Sequence, residues 1–248
     1  MSWLLIDNSN TRTKFALADE SGLLEWRGVI ATPDISQETL LELLQGVDYH
    51  GVLIGSVVPL KRDLMAEFFR DAHPLHLLDY RSPLGIGIDY PNPQQIGADR
   101  LANAVGVMAR HGTPAVVIDF GTAVTFDVVS AAPAYLGGVI APGLGAMSGY
   151  LTRKTALLPE VDLVEPDTAI GKSTVQAMQA GAVFGYRGLV RGILAEILKE
   201  LPENTFIVAT GGDAALIAKG VSEISAVDRD LTLDGLRHVA CRVFSESR

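Results

Sequence analysis

Short apolar runs alternate along the chain with longer stretches whose apolar positions recur every three or four residues, the pattern of strands exchanging with amphipathic helices. Trp3–Asp7 is a strand-like run closed by a carboxylate, followed by a polar turn, Asn8–Thr11, and a second strand at Phe15–Ala18. Ser36–Gln45 carries Leu40, Leu41, Leu43 and Leu44 behind a capping serine and predicts a helix. Gly51–Val58 reads as a β-branched strand, Pro59–Ala72 as a helix with Leu60, Leu64 and Phe68 on one stripe, and His76–Asp79 as the end of another strand. Ser82–Gln95 contains Pro83, Pro91, Pro93, Gly85 and Gly87 and predicts a loop of the kind that frames sites. Gly97–His111 is helical.

After Gly112-Thr113-Pro114 the pattern restarts, with strands at Ala115–Asp119, Val124–Val129 and Tyr135–Ala141. Helices follow at 143–154 and 172–199, then a strand at Thr205–Thr210, a helix at Asp213–Lys219, a short strand near Ile224–Val227 and a last helix from about residue 232. Leu5-Ile6-Asp7 followed by Thr11, Thr13 and Phe15 is similar to Val117-Ile118-Asp119 followed by Thr122, Thr125 and Phe126, and the two aspartates lie 112 residues apart. This likeness predicts a duplicated α/β domain, residues 1–112 and 113–248, with the boundary at Gly112.

Composition narrows the chemistry. The 248 residues are 48% hydrophobic, long enough for full cores without staples. Cys241 is the single cysteine, so no intramolecular disulfide can form, which fits a reducing, cytoplasmic setting. The start has no basic region and meets Asp7 early, unlike a signal peptide, and no apolar run of about 18 residues predicts a membrane span. A net charge of −9 argues against a nucleic-acid partner. An anionic ligand would therefore be held locally, by backbone amides, a few cationic side chains or a metal.

The two aspartate turns suit that requirement. A strand ending in Asp that turns through small residues can gather backbone N–H groups around phosphate oxygens, with the carboxylate placed to organise hydrated Mg²⁺. Thr11, Thr122 and Lys14 add donors and charge, and two such turns facing one another would grip a nucleotide tail. An ordinary hairpin uses the same residue types, so one turn alone says little. Gly171-Lys172-Ser173 is not a P-loop, because Pro166 stands where the earlier glycine is required, and Gly143-Leu144-Gly145 lacks dinucleotide spacing.

Asp7-Asn8-Ser9-Asn10-Thr11-Arg12-Thr13-Lys14 resembles the first phosphate motif of the acetate/sugar kinase–Hsc70–actin superfamily, in the form seen in type III pantothenate kinases. Asp119-Phe120-Gly121-Thr122 resembles the second phosphate motif and Thr210-Gly211-Gly212 the adenosine motif. Gly97-Ala98-Asp99-Arg100, preceded by Tyr90-Pro91, is similar to the pantothenate motif; Gly137–Gly143 and Gly171–Thr174 with Gly181 also match. The resemblance implies duplicated RNase H-like, actin-like domains: mixed central sheets flanked by helices, with an interdomain cleft. It further implies ATP-dependent phosphorylation of pantothenate, the first step of coenzyme A biosynthesis. Asp99 would be the catalytic base, and Asp7 to Lys14, Gly121, Thr122, Gly211 and Gly212 would hold ATP. Tyr90, Gly97, Ala98, Asp99, Arg100 and Thr174 would bind substrate. Asp7 would hold Mg²⁺ through water, and Asp119 a monovalent cation, K⁺ or NH₄⁺. The family also implies a homodimer with the substrate site at the subunit interface. Ser9 stands where the family usually has Gly; if that position needs positive φ, Ser costs roughly 1 kcal/mol. Another small-molecule kinase or phosphohydrolase of the superfamily, or a regulatory homologue with weak activity, are the competing readings.

Overall fold

A computed structural model describes residues 1–71 and 73–245. By packing, the chain forms two units: Met1–Gly112 with Pro133–Leu136 and Asp230–Arg248, and Thr113–Ala132 with Gly137–Arg229.

The first unit is built on a five-stranded sheet. Its strands are β1 (Trp3–Asn8), β2 (Arg12–Ala18), β3 (Leu23–Ala31), β4 (Val52–Ser56) and β5 (Leu75–Leu77), in the order β3-β2-β1-β4-β5. β1, β2 and β3 pair antiparallel, whereas β4 lies parallel to β1 and to β5. Every residue of β1 is buried, because helices cover both faces. On one face Leu4, Ile6, Phe15 and Ile54 pack on α1 (Gln37–Leu43) and α2 (Pro59–Phe69) through Leu40, Met65 and Phe69. Ser36 caps α1 reciprocally with Thr39, and Pro59 opens α2, where its missing N–H has no intrahelical role. The expected end of this helix at Ala72 lies outside the described residues.

The other face carries α3 (Ala98–His111) and α7 (Leu231–Ser245). These helices cross in backbone contact: a side chain on Gly235 would overlap the Ala102 carbonyl, and one on Gly106 would overlap that of Leu231. α3 ends where Gly112 takes φ 84°, a conformation that favours glycine. The sequence placed the last helix with the second half of the chain; its packing on α3 groups it with the first unit. Two strands lie outside the elements expected from the sequence. β3 is a half-exposed edge strand whose apolar positions are broken by Glu25, Arg27 and Gly28. β6 (Gly87–Ile88), inside the expected loop, pairs in parallel with Ala134–Tyr135.

The second unit holds β7 (Ala115–Phe120), β8 (Ala123–Val129), the main part of β9 (Ala134–Pro142), β10 (Phe206–Gly211) and β11 (Ala226–Val227). The order is β11-β10-β7-β8-β9, with β7 antiparallel to β8 and parallel to β10. Its core joins Val116, Ile118, Phe126 and Ile207 to Val183, Tyr186, Val190 and Leu194 of α5 (Thr174–Ile197) and to Ala214 and Ile217 of α6 (Ala214–Ala218). α4 (Leu144–Lys154) seats Leu144 in the same core. Among the described residues no helix is long and apolar enough to cross a membrane.

Candidate active site

Each unit presents an aspartate at the C-terminal end of its central strand, flanked by a hairpin on one side and a parallel strand on the other. In the first unit Asp7 pairs with Lys14 across the hairpin and with Gly55 of β4. Its carboxylate is nearly buried, 4% exposed, and lies 3.3 Å from the Lys14 ammonium, which reaches from a half-exposed stem. Ser9 Oγ donates to Asp7 Oδ1 at 3.2 Å.

The turn is braced from within. Asn8 Nδ2 donates to Thr13 Oγ1 at 2.7 Å, Thr13 Oγ1 meets Thr32 Oγ1 at 2.9 Å, and Thr32 Oγ1 bonds the Ser9 carbonyl at 2.6 Å. Ser56 Oγ donates to Asn8 Oδ1 at 2.6 Å. Asn8 and Thr13 are buried, so what their side chains hold is the turn itself, while Asn10, Thr11 and Arg12 form its exposed tip. The Ser9 N–H donates to the Arg12 carbonyl and closes the hairpin rather than facing outward. No non-glycine residue among those described has positive φ, so the strain expected of Ser9 does not arise.

The same end of the sheet carries the start of α3. A Cβ on Gly55, the register partner of Asp7, would lie 3.8 Å from Ala98 Cβ. Gly97 precedes the helix, and a Cβ there would come 2.6 Å from Asp99 Oδ1 and 3.3 Å from Val57 Cγ1. Gly55 to Val57 thus lies between the Asp7 turn and Asp99. Asp99 is half-buried and its Oδ1 accepts the Arg100 N–H at 2.8 Å. The Arg100 guanidinium lies over the Tyr135 ring, 5.6 Å from its centroid, and Tyr90 meets the same ring edge-on at 6.2 Å. In the sequence Tyr135 is the first residue of an expected strand; an aromatic in an apolar run carries no local sign of such contacts.

In the second unit Asp119 pairs with Thr125 and, on its other side, with Thr210 of β10. Gly211 follows at φ 92°, and a Cβ there would come 2.5 Å from the Phe120 carbonyl and 2.7 Å from Asp119 Oδ1. The fold therefore brings the second phosphate-like turn and the adenosine-like glycines into direct contact. Gly121 and Thr122 are exposed at the turn, the Gly121 N–H donates to Ala123, and the Thr122 carbonyl accepts from Gly143 at the start of α4. A side chain on Gly143 would overlap the Gly121 and Thr122 carbonyls, so the turn sits on bare backbone. Gly212 is exposed; Asp213, next along, has its carboxyl pushed up by burial. Burial, then the neighbouring Asp213, pushes the Tyr186 phenol up, and its hydroxyl donates to the Pro142 carbonyl. Thr174 is exposed at the first position of α5, behind the Ser173 cap.

A family model described as type III pantothenate kinase matches residues 3–196. The chain belongs to the type III pantothenate kinase family. It is 56% identical over 240 residues to a protein of Akkermansia muciniphila named type III pantothenate kinase, covering 97% of this chain and 98% of that one. Among solved structures, a protein of Campylobacter jejuni described as a Baf family transcriptional activator aligns with TM-score 0.64 at 20% identity, over 97% of this chain and 98% of that one. An activator of 2-hydroxyisocaproyl-CoA dehydratase from Clostridium difficile, solved with bound ADPNP, aligns with TM-score 0.54 at 12% identity over 100% and 96%. At such identities these likenesses speak for the fold alone. That fold is the duplicated actin-like α/β architecture, two mixed sheets flanked by helices.

Proposed function

We propose that the chain transfers the γ-phosphoryl group of ATP to the primary hydroxyl of pantothenate, giving 4′-phosphopantothenate and ADP, with Asp99 as the base. The family membership carries the reaction; the placement of Asp99 beside the Asp7 turn supports its role. As the hydroxyl oxygen bonds to the γ-phosphorus and the bond to the β-bridging oxygen breaks, the hydroxyl proton passes to the Asp99 carboxylate. Little covalent work is needed in such a loose transition state, so orientation and charge neutralisation dominate. Lys14, held against Asp7, and Arg12, at the exposed tip of the turn, supply local positive charge for the phosphates in a chain of net charge −9. Gly211 and Gly212 let the nucleotide approach backbone, and Arg100 offers a planar fork to the substrate carboxylate.

A single nearly buried carboxylate suits Mg²⁺, which keeps waters and substrate phosphates as its other ligands. Among the described residues no three His, Cys, Asp or Glu side chains group to hold a metal by themselves. Asp7 would hold the ion through water, where the ion neutralises phosphate charge. Asp119, at the end of β7 beside the exposed Gly121–Thr122 turn, would hold a monovalent cation, K⁺ or NH₄⁺. Replacing K⁺ by Na⁺ is expected to lower turnover several-fold; equal rates in the two salts count against that site.

Exposed apolar side chains on α4 and α5, among them Tyr150, Leu151, Val175 and Phe184, support a homodimer, with Thr174 contributing to a substrate site at the interface. Sedimentation of the protein as a monomer at assay concentration would dismiss it. The single cysteine and acidic charge agree with a cytoplasmic enzyme, which fractionation would check. The deciding assay is pantothenate-dependent ADP release. Asp99→Asn is expected to lower kcat by about 10²–10⁴, and unaltered turnover in a folded variant would exclude Asp99 as base.

A further inference from the structure

Pro133–Leu136 is a four-residue excursion: the chain enters it from the second unit, packs it into the first, and returns. At its centre Tyr135 is fully buried, one of the largest side chains in the protein with no exposure. Three of its contacts go to the stretch expected to bind pantothenate. Its carbonyl accepts the Asp89 N–H at 2.9 Å, extending the register in which Ile88 pairs with Tyr135. Its ring meets Tyr90 edge to face at 6.2 Å and 65°. The Arg100 guanidinium lies over the ring, 5.6 Å from its centroid.

These contacts join two side chains that come from different segments of the first unit. Tyr90 lies in a loop with three prolines and two glycines, and Arg100 carries several rotatable bonds. The loop is already held at its far end. Ser82 Oγ bonds His76 Nε2 at 2.8 Å and accepts the Asp79 N–H at 3.0 Å, and Gly85, at φ 73°, lies flush against the Arg242 guanidinium. Tyr135 supplies the hold at the end that bears Tyr90. An aromatic face carries partial negative charge and attracts a cation placed over it, and its positive edge suits a second ring. One ring can therefore hold both side chains.

We infer that Tyr135 is a positioning residue for pantothenate, fixing the Arg100 guanidinium and the Tyr90 ring in one arrangement before the substrate arrives. This rests on the reading that Tyr90 and Arg100 bind pantothenate. Tyr135 acts through those two residues.

The test compares full-length wild type, Tyr135→Leu, Tyr135→Phe and Arg100→Ala by steady-state kinetics in both substrates, with thermal melts as a check on folding. Tyr135→Leu is expected to raise the KM for pantothenate about tenfold, the scale of losing a part-buried cation–π contact and a ring pair. Its KM for ATP and its kcat at saturating pantothenate should stay within about twofold of wild type, on the same scale. Tyr135→Phe keeps the ring and should stay within about threefold in every constant. Should Tyr135→Leu fail to fold, Tyr135→Met takes its place with the same expectation, and failure of both to fold marks the ring as structural and overturns the inference. An unchanged pantothenate KM in a folded variant overturns it too, as does a rise shared equally by ATP or a Phe variant as impaired as Leu. Arg100→Ala separates the two layers. If its pantothenate KM does not move, the underlying site reading fails; if it rises while Tyr135→Leu stays at wild type, the inference about Tyr135 alone fails.

Discussion

Gly97→Ala isolates the position of one carboxylate from the stability of the fold. Gly97 has φ −62° and ψ 145°, a conformation open to alanine, so no backbone strain follows. The added Cβ would meet Asp99 Oδ1 at 2.6 Å, whereas carbon and oxygen normally stay about 3.3 Å apart. The carboxylate must therefore move by roughly 0.7 Å, and as the free end of a short side chain it can do so at small energetic cost. Val57 Cγ1, at 3.3 Å, has only to give slightly. Alanine is a poorer helix cap than glycine, which costs several tenths of a kcal/mol, and it restricts the unfolded chain, which returns about as much. Stability should change by less than about 1 kcal/mol, or roughly 3 °C in Tm for a chain of this size. Catalysis should not be so forgiving, because a misplacement near 1 Å can cost about 10²-fold. We expect kcat to fall by about 10- to 100-fold with Tm nearly unchanged, measured by coupled ADP release and a melt of the same preparation. A kcat within twofold of wild type would show that the Asp99 carboxylate does not sit at the reacting hydroxyl. A collapse of Tm would refute the packing argument itself.

Two further outcomes follow from the geometry. Gly211→Ala forces a side chain into φ 92° and against the Phe120 carbonyl and Asp119, so it should destabilise by about 1–3 kcal/mol and raise the KM for ATP; a melt and nucleotide kinetics at wild-type levels would contradict this. Burial works to raise the Asp234 carboxyl, but hydrogen bonds from His238 and Arg237 overcome it and bring it down to about 2. A group lowered on folding stabilises above its unfolded value near 3.9 and loses that contribution as pH falls toward 2, so Asp234→Asn should cost about 2 kcal/mol at pH 7 and progressively less below pH 4. Calorimetry showing a constant gap from pH 7 to pH 3 would rule that out.

What the sequence determined by itself was local. The strand–Asp–turn pattern at Asp7 and Asp119, the helix behind Gly97 and the glycines at 211 and 212 are all readable, because each depends on neighbours along the chain: apolar period, a capping position, a turn residue. The motif order then pointed to the family, and the structure set the matching hairpins in like positions in their two sheets. The edge strand β3 and the two-residue β6 were not legible, since a half-exposed edge has no clean alternation and a two-residue pairing has no period at all.

Tertiary structure alone decided which distant residues meet. Nothing near Tyr135 announces that it will carry Arg100 on its face, and nothing near residue 231 announces that the last helix will cross α3 through Gly106 and Gly235. It also decided that Asn8 and Thr13 turn inward to brace their own hairpin, and that Ser9 needs no special backbone. Local pattern records what a residue prefers to be. Which partner satisfies that preference depends on packing between segments brought together by the fold, where volume, ring orientation and backbone contact are set together.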